Sequence, residues 1–280
     1  MMAQGRRMQT DPFEIRMKQA RILLSEQLGV PSLPPELHLR ETTPPLDETV
    51  LEFCRKVGIA APVQLQVSPA EGAEVGWCIR NVECQIQRHG GSMEYGWISW
   101  GAPELFYEAE FHAVWRRPDH VLVDVTPQRD GETEILFSRS DVADDFNFYD
   151  DRPGNRRWKA YRRPDLDQRV SKKLATMTEA SQRYAREKAA KKGLSLDEWI
   201  ASRIEGDPFD RAIARFIELG DRVDAMVKPS VRGSSLRKGV SGTEFRRVAD
   251  ELTKAKLKVW TMAEGMVMQS IAEEEPMVRP

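Results

Sequence analysis

Phe106-Tyr107-Glu108-Ala109-Glu110-Phe111-His112-Ala113-Val114-Trp115-Arg116, then Arg117-Pro118-Asp119, then the stretch from His120 through Asp124-Val125-Thr126-Pro127, decides the fold. Successive side chains of a strand point to opposite faces. Glu108, Glu110, His112 and Val114 therefore share one face of a strand over 106–116, and Ala109, Phe111, Ala113 and Trp115 share the other. The Pro-Asp turn reverses the chain into a second strand, 120–126, and antiparallel pairing would carry Asp124 to the side of His112. Further strands are expected at 94–100 (Glu-Tyr-Gly-Trp-Ile-Ser-Trp) and at 133–138 beyond the Asp130-Gly131 turn. Val63, Leu65 and Val67 alternate with glutamines and read as another half-buried strand.

Two helices belong with these strands. Asp47 can cap one that runs to Val57 and ends at Gly58. A second runs from Cys78 to Arg88 and is closed by His89-Gly90-Gly91. Residues 46–140 thus read as an α+β domain, with helices packed on an antiparallel sheet. Before it, residues 1–45 hold an amphipathic helix (10–28) and a Pro-rich connector (Pro31 to Pro45). Residues 141–167 read as a linker. Residues 168–280 read as a basic, mostly α-helical C-terminal region, with helices at 168–192, 196–205, 208–227 and 243–272 and a loop from Lys228 to Gly242.

Charge divides along the same line. Residues 1–151 carry 14 Lys/Arg against 25 Asp/Glu, and residues 152–280 carry 28 against 19. Such asymmetry suggests two functional parts. No run of about 18 apolar residues exists to span a membrane, and the polar, basic N-terminus does not read as a secretory signal. Three irregularly spaced cysteines make neither a disulfide framework nor a zinc knuckle, so a cytoplasmic, reducing location is expected.

The chemistry lies in the order Cys78, His112, Asp124. Cys54 falls on an apolar helix face and reads as a core thiol, and Cys84 falls opposite the Ile79/Val82/Ile86 stripe of its helix. Cys78 starts that helix, where unpaired backbone N–H groups and the helix dipole favour a thiolate and can hold an oxyanion. His112 is the expected base and Asp124 the group that orients it. Cys78 and His112 with Asp124 or Glu110 would also make a zinc set, but no close ligand pair supports one. The acyl-transfer chemistry itself needs no cofactor. Of Trp77, Trp97, Trp100 and Trp115, Trp77 is expected to wall the substrate site with Glu110, and the others to be core. Gln64 or Gln66 is the candidate for an oxyanion-hole amide.

His112-Ala113-Val114-Trp115 followed by Asp124-Val125-Thr126-Pro127 resembles the His-Ala-Trp and Asp-x-Thr signatures of transglutaminase-like cores. In that family the cysteine opens a helix, and the His and Asp stand on adjacent strands downstream. The segment of about 75–140 is also similar to uncharacterised bacterial proteins sharing Gly90-Gly91, Gly96-Trp97-Ile98-x-Trp100, Glu108 to Trp115 and Asp124-x-Thr126-Pro127. The extra Val114 departs from the family pattern and moves Trp115 to the opposite strand face. The resemblance implies a cysteine-proteinase-like fold and an acyl-transfer enzyme, hydrolase or transglutaminase-like. Its triad would be Cys78, His112 and Asp124, acting on a protein or small acyl substrate.

In the basic half, Gly193 can end one helix, and Ser195 with Glu198 forms a capping box for the next. This junction resembles ribbon-helix-helix DNA-binding proteins, with Arg169 to Leu174 as a groove-reading strand; the alternatives are one long helix over 168–192 and a helical hairpin with a solvated basic face. Nucleic acid is accordingly a possible partner and a non-catalytic binding protein the alternative function. From Phe245 to Met266 an apolar seam at three-and-four spacing suits either a homo-oligomer through 243–272 or an intrachain bundle.

Overall fold

The structure is a computed structural model and describes residues 41–102, 104–204, 206–226 and 242–274. The expected 10–28 helix, most of the Pro-rich connector and nearly all of the 228–242 loop lie outside these residues.

Helix α1 spans Glu48–Val57, with the Asp47 carboxylate accepting from Val50 N–H and Gly58 closing the helix at φ 71°. Strand β1 is Val63–Gln66 and α2 is Cys78–His89. Then come β2 (Ser92–Ala102), β3 (Phe106–Arg116), β4 (Leu122–Val123) and β5 (Glu134–Arg139). All their sheet pairings are antiparallel, in the order β1-β5-β2-β3-β4. The α+β expectation holds at this level, an antiparallel sheet with helices packed on it.

The strand expected at 120–126 pairs with β3 only at Leu122 and Val123. Beyond it the chain turns toward β1. Asp124 N–H donates to the Gln66 carbonyl (3.1 Å), Ser68 N–H donates to the Asp124 carbonyl (2.7 Å), and Val67 and Asp124 form a parallel bridge. The sheet thereby curls until its two ends meet. Leu65, Ile98, Val114, Ile135 and Phe137 fill the interior. On the outer face, Phe111, Ala113, Trp97 and Tyr107 pack with Phe53 of α1 and with Cys78 and Ile79 of α2. Two of the tryptophans expected in the core, Trp97 and Trp115, differ in depth. Trp97 is buried, while Trp115 is half-buried, with its indole N–H donating to the Gly90 carbonyl at 2.9 Å.

The segment 141–167 is not a linker. It holds the short helix α3 (Phe148–Asp151) and a sixth strand, β6 (Arg156–Lys159), which pairs with Phe106–Ala109 of β3. Its charges are absorbed by specific partners. Arg157 is buried among Glu108, Asp221 and Asp224, Lys159 pairs with Asp210, and Arg156 donates to the carbonyls of Val57 and Gly58. Arg156 also lies over the Trp97 ring, 4.3 Å from its centroid.

Beyond it the chain is helical: α4 (Leu166–Ala175), α5 (Glu179–Ala190), α6 (Leu196–Ala201), α7 (Pro208–Met226) and α8 (Thr243–Glu274). Neither a ribbon strand nor one long helix forms over 168–192. Arg169 to Leu174 lies in α4, and Thr178 then caps a separate helix by accepting from Ser181 N–H. Val170, Ala185 and Ile200 make a small core for α4, α5 and α6. The Ser195–Glu198 capping box forms as its spacing requires. The seam of α8 is used within the chain. Leu252, Ala255, Val259 and Met262 pack with Phe209, Ile213 and Phe216 of α7, and Phe106 of the sheet joins them. These residues are therefore engaged within the chain, as the bundle alternative expects. None of the described helices is long and apolar enough to cross a membrane.

Candidate active site

The outer edge of β3 is shared by two short strands. β6 covers Phe106–Ala109 and β4 covers Trp115 and Arg116. Neither reaches residues 110–114, and His112 lies at the middle of that gap. A cleft of about 290 Å³ opens there. Cys78, His112, Trp100, Glu110, Gln128 and Arg152 are among the side chains that line it. Helix α2 brings Cys78 to the cleft by packing Ile79 against the outer face of the sheet.

His112 and Asp124 are both buried, and His112 Nε2 is 3.2 Å from Asp124 Oδ2. Both oxygens of the carboxylate are held by further donors. Thr126 N–H donates to Oδ1 at 2.9 Å, and Gln128 Nε2 donates to Oδ2 at 2.6 Å. Both donors lie on the turn that carries the chain away from β4, so the departure from regular pairing is what secures the carboxylate. With Nε2 occupied by Asp124, Nδ1 is the ring nitrogen left to meet a thiol.

Burial works against a charged imidazole. Burial is the largest single influence, but the charge and hydrogen bonds of Asp124 and Cys78 together outweigh it, so His112 holds its proton to a pH well above the usual histidine range. Burial pushes the Cys54 thiol up, consistent with its place in the core. Cys84 is half-buried, away from the buried stripe of its helix. All three cysteines are free.

Cys78 sits at the first position of a twelve-residue helix whose preceding residue, Trp77, gives no side-chain cap. The first backbone N–H groups of such a helix have no partner within it. The loop before it is fixed by Asn81. Asn81 Oδ1 accepts from Glu74 N–H (3.1 Å), and its Nδ2 donates to the Glu74 carbonyl (2.8 Å) and to Thr126 Oγ1 (3.2 Å). One buried amide thus ties the approach to Cys78 to the turn that holds Asp124.

Other expected site residues fall differently. Glu110 lines the cleft and pairs with Arg152 at 2.9 Å. Trp77 is not part of the cleft wall. It is half-buried, with the Arg80 guanidinium 5.4 Å from its ring centroid, and Trp100 is the tryptophan in the cleft. Gln64 and Gln66 are not oxyanion donors. With Leu65 turned inward, strand alternation turns both outward, where their amides bind the two oxygens of Glu134.

Gln128, Asn81 and Arg152 were not singled out from the sequence. Gln128 stands four residues beyond Asp124, but only the turn geometry brings its amide back. Asn81 stands three residues beyond Cys78, on the same helix face. Arg152 comes from the supposed linker. Two polar atoms of the cleft wall, Glu132 Oε2 and Arg152 Nε, are buried without a hydrogen-bond partner. Among the described residues no three His, Cys, Asp or Glu side chains gather as a metal-binding set.

No protein-family model, curated protein or solved structure matches this chain.

Proposed function

We propose that the protein is a cysteine-dependent acyl-transfer enzyme, hydrolase or transglutaminase-like, built on a cysteine-proteinase-like core. One observation carries this reading: a buried His112–Asp124 pair at 3.2 Å faces the same cleft as a cysteine at a helix start. The Cys-His-Asp order and the Asp-x-Thr turn, in which Thr126 N–H donates to the carboxylate, agree with the transglutaminase-like resemblance.

His112 accepts the Cys78 proton, and the sulfur attacks the carbonyl carbon of an amide, ester or thioester. The carbonyl π bond opens onto oxygen, and the amide groups at the start of α2 stabilise the oxyanion. As the carbonyl re-forms, the bond to the leaving group breaks, and His112 returns the proton to it. Water or an amine then attacks the acyl-sulfur carbon, giving its proton to His112; as the carbonyl re-forms the carbon–sulfur bond breaks, and the proton from His112 regenerates the thiol. Asp124 keeps the imidazole in position and offsets its charge throughout. The unpartnered polar atoms of Glu132 and Arg152 suit a polar substrate over an aliphatic one. Free thiols fit a reducing compartment such as the cytoplasm.

The test is incubation with p-nitrophenyl acetate and mass spectrometry of the protein. A burst of nitrophenol with an acetyl group on Cys78, absent in Cys78→Ser and slowed in His112→Ala, is the expected result. Acetylation spread over lysines, unaffected by either substitution, would sink the proposal.

A further inference from the structure

Helices α4, α5 and α6 enclose their own small core and carry a surface that the cleft chemistry does not use. Residues 166–204 hold nine Lys/Arg against five Asp/Glu. Several of these cations are arranged around aromatic rings. Lys188 Nζ lies 5.3 Å from the centroid of Tyr184, and Lys192 Nζ and the Arg203 guanidinium each lie 5.2 Å from that of Trp199. Lys188 and Lys192 are four residues apart, with Lys192 two residues beyond the end of α5, so the two groups follow one another along the chain. In chain order the stripe is Tyr184, Lys188, Lys192, Trp199, Arg203.

Tyr184 is 61% exposed, although a tyrosine ring is usually placed where much of its area is covered. Lys188, Lys192 and Arg203 have no carboxylate partner among the described residues, in contrast to Arg162, Arg163 and Arg169 of the same region, which pair with Asp165 or Asp167. The acids nearest the stripe do not neutralise it. Glu198 is committed to the Ser195 N–H, and Glu187 pairs with none of these cations. The stripe thus offers three cations without carboxylate partners, one of them beside an exposed tyrosine ring.

We propose that this stripe is a docking site for single-stranded nucleic acid, with phosphates on Lys188, Lys192 and Arg203 and a base stacked on Tyr184. Exposed aromatic faces among cations are what unpaired bases and a phosphate backbone require. A membrane surface would instead call for exposed aliphatic side chains beside the cations, and among the described residues of 166–204 Tyr184 is the one large hydrophobic side chain that stands exposed. The site uses helix surfaces only and needs neither a ribbon strand nor Cys78.

The experiment is fluorescence anisotropy of the full chain with a labelled oligo(dT) of about twenty nucleotides, and with a duplex of equal length, between about 50 and 200 mM salt. Three phosphate contacts on a single strand predict a log–log salt slope of about −2. Lys188→Glu/Lys192→Glu should abolish binding, and Tyr184→Ala should weaken it about ten-fold for the single strand and much less for the duplex. Lys254→Glu/Lys258→Glu, with the same change in net charge on exposed positions of α8, should retain the site. Circular dichroism checks that each variant is folded. No binding of oligo(dT) at the lowest salt overturns the proposal. So does equal loss in the two double variants, a preference for duplex, or binding to anionic vesicles but not to oligo(dT).

Discussion

Asp124→Asn tests whether the buried pair activates the thiol. The substitution keeps the shape of the side chain and removes its charge. In the protein both carboxylate oxygens accept from fixed donors, Thr126 N–H on Oδ1 and Gln128 Nε2 on Oδ2, with His112 Nε2 also on Oδ2. An amide has one oxygen. If it serves Thr126, its NH₂ group faces the Gln128 amide and the imidazole, and one buried donor goes unmet, at a cost of about 1–3 kcal/mol. The larger effect falls on reactivity, because the main cause that raises His112 is lost and burial then favours neutral imidazole. Without an imidazolium beside it, the Cys78 thiol loses the neighbouring positive charge that favours a thiolate nucleophile. Iodoacetamide labelling of Cys78 at about pH 6 should therefore fall by at least about ten-fold. The assay is the alkylation rate of the native protein from about pH 5 to 9, resolved by cysteine in a mass spectrometer. A folded Asp124→Asn protein that labels Cys78 with the wild-type profile would show that the carboxylate does not act through His112.

Native alkylation should also separate the cysteines. Cys54 is almost fully buried with its thiol pushed up, so it should label only on unfolding, and labelling of Cys54 ahead of Cys78 would contradict the packing. Because the folded protein holds the His112 proton more tightly than the unfolded chain does, that group adds stability in full below the unfolded value of about 6.5 and loses it as pH rises through the folded value. The difference in Tm between wild type and His112→Gln should accordingly shrink as pH rises from about 6.5, and a gap that widens would reverse the sign. Asn81→Ala leaves the N–H and carbonyl of Glu74 without their buried partner and should cost about 2 kcal/mol in urea unfolding while lowering the Cys78 labelling rate. An unchanged rate would mean that the loop before Cys78 keeps its place by other contacts. Arg157→Met removes the buried charge partner of Glu108, which burial already pushes up, and should cost about 3–5 kcal/mol. A loss below about 1 kcal/mol would mean this carboxylate finds water instead.

The parts of the fold that were legible in the sequence are those governed by local periodicity. β3 could be bounded from alternation alone, since Phe111 and Ala113 must face α1 and α2 while Val114 faces the interior. Helix α1 could be bounded from Asp47 and Gly58, because capping and the left-handed turn are single-residue effects. The nearness of Asp124 to His112 was legible only in outline. A regular strand over 120–126 was expected, whereas two residues pair with β3 and the chain then crosses to β1. That crossing depends on β1, more than fifty residues upstream, and no pattern within 120–128 announces it.

What the sequence hid most completely was the role of 152–163. Its arginines and the acids before them read as a linker, because periodicity records apolar faces and is silent about ion pairs between distant segments. In the structure the Arg157 side chain is largely covered between Glu108, two positions from Glu110 on the cleft wall, and two aspartates of α7. Each partner is ordinary on its own helix or strand, and only their convergence makes the site. The consequence is architectural. β6 stops at Arg156 on the β3 edge, so it leaves residues 110–114 open, while its Arg157 and Lys159 bind α7 to the sheet. The strand that appeared to separate two domains is the one that frames the cleft and joins α7 to it.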